Sequence, residues 1–535
     1  MRYIAQITVA TAALALSAQS AAAEFKLNVI HINDLHSRIE SISRFNGTCD
    51  SESEAEGKCF GGVARVATKI AELRDSLSAA GENYIVLDAG DQFQGSLMYT
   101  TYKGAAEAEF MEKIGFDAMA VGNHEFDDGP PALAEFIDKV SFPVVSGNLD
   151  LSGSELLRER IMDHVVLEVG GEKIGIVSAV ATDTNETSSP GPNVVFHDEI
   201  TSLTEDVAAL EAAGVNKIIA LTHVGLPADM RIAASVAGLD AVVGGHSHTY
   251  LSATDPDAAG QYPTWVDGPG GNSVPIVQAF AYSKYVGHLV LEFDADGALL
   301  GAEGDTLVLD ASVEPSPDIV ARVAELAGPI EELKSRVVAS AESMVQGDRS
   351  VCRVEECAMG NLVADAMLES VSDQGAVIAI QNGGGLRASF NGGEITMGDV
   401  LGVLPFQNTL ATFEATGQTI IDALENGVSQ VEEVKGRFPQ VSGLQYTWDL
   451  SVAPNEGRIQ DVLVMSGGEW VGIDPEAVYS VVTNNYVRQG GDGYKMFADA
   501  ENAYDYGPNL EEVVAGYLAA NSPYVPYTDG RIARK

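Results

Sequence analysis

The sequence predicts an α/β protein of two domains joined by a helix, and three observations carry that reading. Five short apolar runs, LNVI, YIVLDA, MAV, IIALT and AVVGG, each lead into a polar loop. Bounded runs of this length read as buried strands. Strand and helix signals alternate from about Glu24 to Pro315, as expected of a mainly parallel sheet with helices on its faces. The segment 316–342 then places Ile319, Val323, Leu326, Ile330 and Leu333 at helical spacing, interrupted by Gly328-Pro329, which predicts a linker helix with a break. From 343 to 535 a second α/β domain follows, without internal repeats or low-complexity tracts. A length of 535 residues permits more domains than two, but the pattern favours two.

The loops after the five runs hold most of the metal-binding side chains. They are Asp34 and His36 in NDLH, Asp91 in AGDQ, Asn123 in GNHE, His223 in LTHVG, and His246 and His248 in GGHSH. In open α/β sheets, ligands collect at the carboxyl ends of the strands, so five such loops can build one site. Two cations about 3.5–4 Å apart clamp the attacking and leaving oxygens of an in-line displacement and lower the pKa of a water held between them. Such a pair needs a bridging carboxylate and mixed nitrogen and oxygen ligands. Imidazole suits Zn, Mn, Fe or Co, and oxygen ligands keep the site tolerant of harder ions. A single D-x-H or GNHE is a weak signal; the ordered set points to a two-metal phosphoesterase.

In the second domain, the strand-like AVIAI leads into NGGGLR, Asn382 to Arg387. Glycine amides can approach a ligand closely, and an arginine fork suits phosphate. Taken alone, the run reads more readily as a plain turn than as a binding loop. Cys49 and Cys59 flank an acidic loop, and Cys352 and Cys357 flank RVEE. Four cysteines permit three pairings, of which proximity favours the local one. Neither spacing is the C-x2-C of zinc sites.

Composition places the protein outside the cell and away from polyanions. With 31 Lys and Arg against 77 Asp and Glu, the net charge is -46, so a DNA or RNA polymer is repelled. Residues 1–23 carry an early arginine, an apolar stretch from Ile4 to Leu16 and Ala21-Ala22-Ala23 before Glu24. These features predict an export signal cleaved after Ala23, toward the periplasm or medium. That stretch is too short to span a bilayer, no later segment is long enough, and no cysteine near the signal's end offers a lipid site. The mature chain is therefore expected to carry no membrane anchor.

The ordered motifs resemble the calcineurin-like metallophosphoesterases, and the second half narrows the resemblance to secreted 5′-nucleotidases, bacterial periplasmic and animal ecto-enzymes alike. The likeness spans essentially the whole mature chain. It implies an N-terminal metallophosphoesterase α/β sandwich and a C-terminal substrate-recognition domain. It also implies two divalent ions, Zn, Mn or Co, one held by Asp34, His36, Asp91 and His248 and the other by Asp91, Asn123, His223 and His246. His124 and Asp127 in GNHEFD match the family's catalytic pair. Arg353, Asn382, Gly384, Arg387 and Asp492 match phosphate- and ribose-contacting positions, and Phe406 and Tyr486 match rings that sandwich the base. The resemblance places a disulfide at each local cysteine pair. Two positions depart: His248 stands where the nearest nucleotidases carry an amide, and Tyr486 where phenylalanine is usual.

The implied reaction is hydrolysis of a nucleoside 5′-monophosphate, a small substrate brought to the metals by a rotating second domain. Hydrolysis of UDP-sugars or 2′,3′-cyclic nucleotides is the enzymatic alternative, and a non-catalytic nucleotide-binding surface protein the remote one. Other tempting residues are expected to be structural. His31 lies in the first strand, His164, His197 and His288 lack motif partners, and Met359, Met367 and Met397 read as core filler.

Overall fold

The computed structural model describes residues 25–535 except 45, 47 and 50, so the export segment and its cleavage point lie outside the described residues. All five apolar runs contribute to strands: Phe25–Ile32, Asn83–Asp88, Ala118–Ala120, Ile218–His223 and Ala241–Val243. The first three run parallel in one seven-stranded sheet, with Leu27 beside Asn83 and Leu87 beside Ala118. The last two run parallel in a second, six-stranded sheet, with Ile219 beside Ala241.

Side-chain alternation between two buried faces explains why the runs are mostly apolar, with Asn28 and Asp88 as buried polar exceptions. Leu27, Val29, Ile85 and Leu87 point between the sheets, where they meet Ile174, Ile176, Ile219 and Leu221. The alternate residues Ile30, Ile32 and Val86 face outward, into a core shared with Phe110 of helix Ala105–Ile114. On the far side, Val177, Ala179 and Ala220 pack with Leu203, Val207 and Leu210 of helix Glu199–Ala212. The result is a helix–sheet–sheet–helix sandwich.

The linker corrects one expectation. Helix Pro317–Ser335 runs unbroken through Gly328 and Pro329. Proline removes one backbone donor and crowds the preceding turn, but Leu326 and Ile330 on either side are both buried in the N-terminal core. Tyr102 donates its hydroxyl to the carbonyl of Leu326 at 2.7 Å. Packing and this outside donor hold the helix across the proline. It stops at Ser335, and Val337–Ala341 is a strand paired antiparallel with Gly393–Thr396, so the segment to 342 is not all helix.

The second domain pairs a five-stranded mixed sheet, centred on Ile378–Asn382 and Val478–Asn484, with a four-stranded sheet. Helices Ala358–Val371 and Leu510–Ala520 cover one face through Leu362, Met367, Val514 and Leu518. Both local disulfides are formed, Cys49–Cys59 and Cys352–Cys357. Met359, Met367 and Met397 are buried core residues. His31 is buried against the hydroxyl of Tyr262 at 2.9 Å, a structural role. Among the described residues, no helix is long and apolar enough to cross a membrane.

Candidate metal centre and substrate cavity

Three of the five loops rise from the rim of one sheet and two from the other, so the site straddles both. Beyond the strand ends the first two loops remain paired: the backbone N–H groups of Asp34, His36 and Ser37 donate to the carbonyls of Gly90, Asp91 and Gln92, each at 2.9 Å. The glycines of the motifs permit the approach. A Cβ on Gly122 would lie 2.2 Å from Asp91 Oδ1, and one on Gly245 would lie 2.8 Å from the Ala89 carbonyl. Asp34, His36, Asp91, His246 and His248 all adopt left-handed backbone, with φ from 49° to 73°. Such conformations persist only where the surroundings over-determine them, and they cluster at functional sites.

Glu125 is the main restraint. Fully buried, it accepts the N–H groups of Gln92 at 2.8 Å and Phe93 at 3.2 Å on one oxygen, and those of Gly122 at 2.7 Å and Asp91 at 3.0 Å on the other. Burial and the neighbouring Asp91 push its pKa up to about 7. The motif contained this residue, but the sequence reading assigned it no role.

The ligating atoms gather in overlapping groups: Asp34, His36 and His248; Asp91, His223 and His246; and His36, Asp91 and His124. His248 Nε2 lies 2.9 Å from His36 Nε2 and 3.2 Å from Asp34 Oδ1. His223 Nε2 lies 2.9 Å from Asp91 Oδ2, and His246 Nδ1 2.8 Å from Asn123 Oδ1. Asp91 stands between the groups, 3.7 Å from His36 Nε2. The Nδ1–H groups of His223 and His36 donate to the carbonyls of Ala89 at 2.6 Å and Phe93 at 3.2 Å, which leaves both Nε2 lone pairs aimed inward.

This donor set fits a pair of divalent cations. Asp91 Oδ2 and His223 Nε2 face each other at 2.9 Å and, with His124 Nε2, are buried without a well-formed hydrogen bond, and an imidazole lone pair beside a shared carboxylate is the ligand type such ions take. Burial opposes ionisation of Asp91, yet His223 and His124 hold its carboxyl well below the usual range. Burial likewise opposes a proton on His223, while Asp91 and Asp34 push its pKa up to about 10. The carboxylates thus draw positive charge into the cluster, and a cation there displaces the proton from its ligands.

His124 faces the same centre. Its Nδ1 sits 2.6 Å from Asp127 Oδ2, Asp127 also accepts from Ser188 Oγ at 2.7 Å, and the His124 N–H donates to Asp91 Oδ1 at 2.9 Å. Although burial disfavours the charge, Asp127 and Asp91 push the imidazole up to about 9. Its Nε2 is buried without a hydrogen-bond partner and faces the same cluster.

A cavity of about 670 Å³ lies between the domains. It is lined by His246 and His248 and by every residue the sequence nominated for substrate: Arg353, Asn382, Gly384, Arg387, Phe406, Tyr486 and Asp492. Burial and the nearby Arg349 and Arg353 lower the pKa of Arg387, and Arg353 and Arg387 both line the cavity. Arg387 also lies over the Phe406 ring at 5.4 Å. Asn382 Nδ2 donates to Asp492 at 2.7 Å and its oxygen accepts from Asn484 at 2.9 Å, which fixes both polar groups. Gly384 is required by contact: a Cβ there would lie 2.9 Å from the Cα of Gly436. The sequence reading missed Arg38, whose guanidinium donates to the Gln407 carbonyl across the domains at 3.2 Å; its place two residues after His36 was the available signal. It also missed Tyr506, which no motif marks.

Residues 27–250 match the calcineurin-like phosphoesterase family and residues 337–499 the 5′-nucleotidase C-terminal domain. The 5′-nucleotidase of Bos taurus is 36% identical over 532 residues, covering 96% of this chain and 91% of that protein. The chain belongs to the 5′-nucleotidase family. The snake venom 5′-nucleotidase of Naja atra is 35% identical, covering 95% of this chain and 98% of its own. Among solved structures, a 5′-nucleotidase precursor from Thermus thermophilus is 40% identical, with a TM-score of 0.61, covering 95% of this chain and 99% of that one. The NAD nucleotidase of Haemophilus influenzae is 27% identical, with a TM-score of 0.76 and the same coverage. As a member of this family the protein is a hydrolase that uses divalent metal ions.

Replacing Glu125 by Gln turns an acceptor of four N–H groups into a group that presents its own N–H₂ to some of them. Metal affinity of Glu125→Gln should fall about 10- to 100-fold, the usual effect of losing a ligand's supporting partner. Titration of the metal-free protein with Mn or Zn checks this, and unchanged affinity would show that the loops hold themselves.

Proposed function

We propose that the protein hydrolyses nucleoside 5′-monophosphates to nucleoside and orthophosphate after export to the periplasm or medium. The observation that carries this reading is the single cavity that unites His246 and His248 with all seven substrate positions. Asp34, His36, Asp91 and His248 would hold one ion and Asp91, Asn123, His223 and His246 the other, with Zn, Mn or Co the ions best suited to the donors. When bound, the pair lowers the pKa of a water and neutralises charge on the phosphoryl oxygens.

The remaining work belongs to side chains. His124 donates through Nε2 to a phosphoryl or leaving oxygen, while Asp127 fixes its tautomer and orientation. Arg353 and Arg387 attract the phosphate, Asn382 and Asp492 contact the ribose, and Phe406 and Tyr486 hold the base. Tyr486 donates its hydroxyl to Asp492 at 3.3 Å, so the tyrosine that replaces the usual phenylalanine also steadies the ribose-contacting acid. The ligands precede 315 and the substrate contacts follow 343, which divides the chemistry from the recognition. Phosphate release from AMP, UMP, UDP-glucose and 2′,3′-cyclic AMP under Mn, Co, Zn and Mg tests the reading; failure to release phosphate from either monophosphate would overturn it.

Three outcomes follow from the residue roles. Asp91→Asn should lose both ions together, whereas His248→Asn should weaken mainly one; elemental analysis of the purified variants decides, and two bound ions in Asp91→Asn would refute the bridging role.

His124→Ala should retain its metals and bind nucleotide while turnover falls on the order of 10²–10⁴-fold. Metal content and AMP binding are to be measured beside the rate, since loss of all three would make His124 structural.

Removing one ring of the base clamp forfeits roughly 1–3 kcal/mol of stacking, which is about a 5- to 150-fold rise in KM for AMP. Phe406→Ala and Tyr486→Ala should show that rise yet leave hydrolysis of p-nitrophenyl phosphate intact. Equal losses on both substrates would mean that these rings serve packing.

A further inference from the structure

Tyr506 belongs to the second domain and lies over the metal centre of the first. Its ring centroid is 4.8 Å from that of His248, 5.4 Å from His246, 6.2 Å from His124 and 6.5 Å from His36. Rings at these separations are already in contact, and no phosphoryl group fits between the tyrosine and the imidazoles. The same residue lines the 670 Å³ cavity and a second cavity of about 410 Å³ that reaches Asp127 and Ser188. It is the partition between them.

The loop that carries the ring is tied to the base clamp. Asp505 pairs with Arg488 and accepts from Gln489 Nε2 at 3.2 Å, and its carbonyl accepts from Thr409 Oγ1 at 2.5 Å. Arg488 ends the short helix Asn485–Arg488, which carries Tyr486. The Tyr506 loop and the helix of Tyr486 are therefore tied together, so a nucleotide that engages the clamp acts on the segment that holds Tyr506.

We propose that Tyr506 is a specificity gate, which keeps small phosphate esters from the metal centre and yields to substrates that engage the second domain. This rests on the nucleotidase reading above. A metal pair acts on whichever monoester reaches it, so discrimination has to come from access. A nucleotide offsets displacement of the ring with binding energy from its base and ribose, remote from the reacting centre. A small ester has no such contacts and competes with the ring directly.

Metal-loaded wild type, Tyr506→Ala and Tyr506→Phe are to be compared on AMP and p-nitrophenyl phosphate, with folding checked by circular dichroism and metal content by elemental analysis. Tyr506→Ala should raise kcat/KM for p-nitrophenyl phosphate about tenfold, equivalent to about 1.4 kcal/mol, and change that for AMP much less. Tyr506→Phe, which keeps the ring, should keep the wild-type preference. A chelator should also extract the metals from Tyr506→Ala faster than from wild type, a readout independent of turnover. Loss of packing alone would lower both activities and cannot produce a selective gain. The gate is overturned if kcat/KM for p-nitrophenyl phosphate fails to rise in Tyr506→Ala, or if extraction is no faster. Wild type that cleaves p-nitrophenyl phosphate but no mononucleotide would instead overturn the nucleotidase reading, and the chelation rates would still judge the gate.

Discussion

The metal centre depends on a buried carboxylate that bonds only to backbone. Five expected ligands sit in left-handed backbone, which costs an ordinary residue about 1–2 kcal/mol and Asp or His less, since both are enriched there. Such conformations persist only where the surroundings over-determine them. Glu125 supplies that condition by gathering four N–H groups from two loops into a dry interior, where each donor left unpaired would cost about 1–3 kcal/mol. The strained ligands and the acid that restrains them form one cooperative unit, which explains why GNHE contains both a ligand and its support.

How much of this was legible in the sequence follows from what each residue is for. The ligand loops were readable because metal chemistry demands a narrow choice of side chains, and parallel strands fix where those side chains must fall. The strands were readable because two buried faces call for apolar side chains on both, as with Leu27 and Val29 on one face and Ile30 and Ile32 on the other, even though Asn28 and His31 of the same strand are polar. Pro329 misled because the break expected from it is a local effect, whereas the helix is held by Leu326, Ile330 and the hydroxyl of Tyr102, contacts made only after folding. Glu125 stood in plain view, but its partners are amides, which sequence does not distinguish. Tyr506 and Arg38 act across the domains, and AYDYGP gives no local sign of the imidazoles above which its tyrosine lies.

The charge distribution reconciles an acidic protein with an anionic substrate. A net charge of -46 is spread over a surface, and at physiological salt each charge is screened within about 8 Å. A mononucleotide spans little more than that distance and meets mainly the local field, set by Arg353 and Arg387 with Arg349 beside them. A polynucleotide spans many screening lengths and meets the repulsive surface along its whole contour. The same composition that excludes the polymer therefore leaves the monomer free to enter.

Dividing chemistry and recognition between domains sets what each can change independently. The expected metal ligands and His124 are fixed by sheet rims and by Glu125, apart from the proposed base clamp. Replacing phenylalanine by Tyr486 adds a hydroxyl that engages Asp492 without disturbing any ligand, so specificity can drift while the centre stays constant. The division also has a cost, because two separately built halves must be aligned before reaction. Holding reacting groups in register is worth several kcal/mol of the barrier, and here the substrate supplies that alignment by bridging the halves. A side chain such as Tyr506, which belongs to one half and covers the other, makes alignment a requirement rather than an advantage. If Tyr506 gates the centre, the metals act on what the second domain delivers, and base contacts remote from phosphorus become part of what determines the rate.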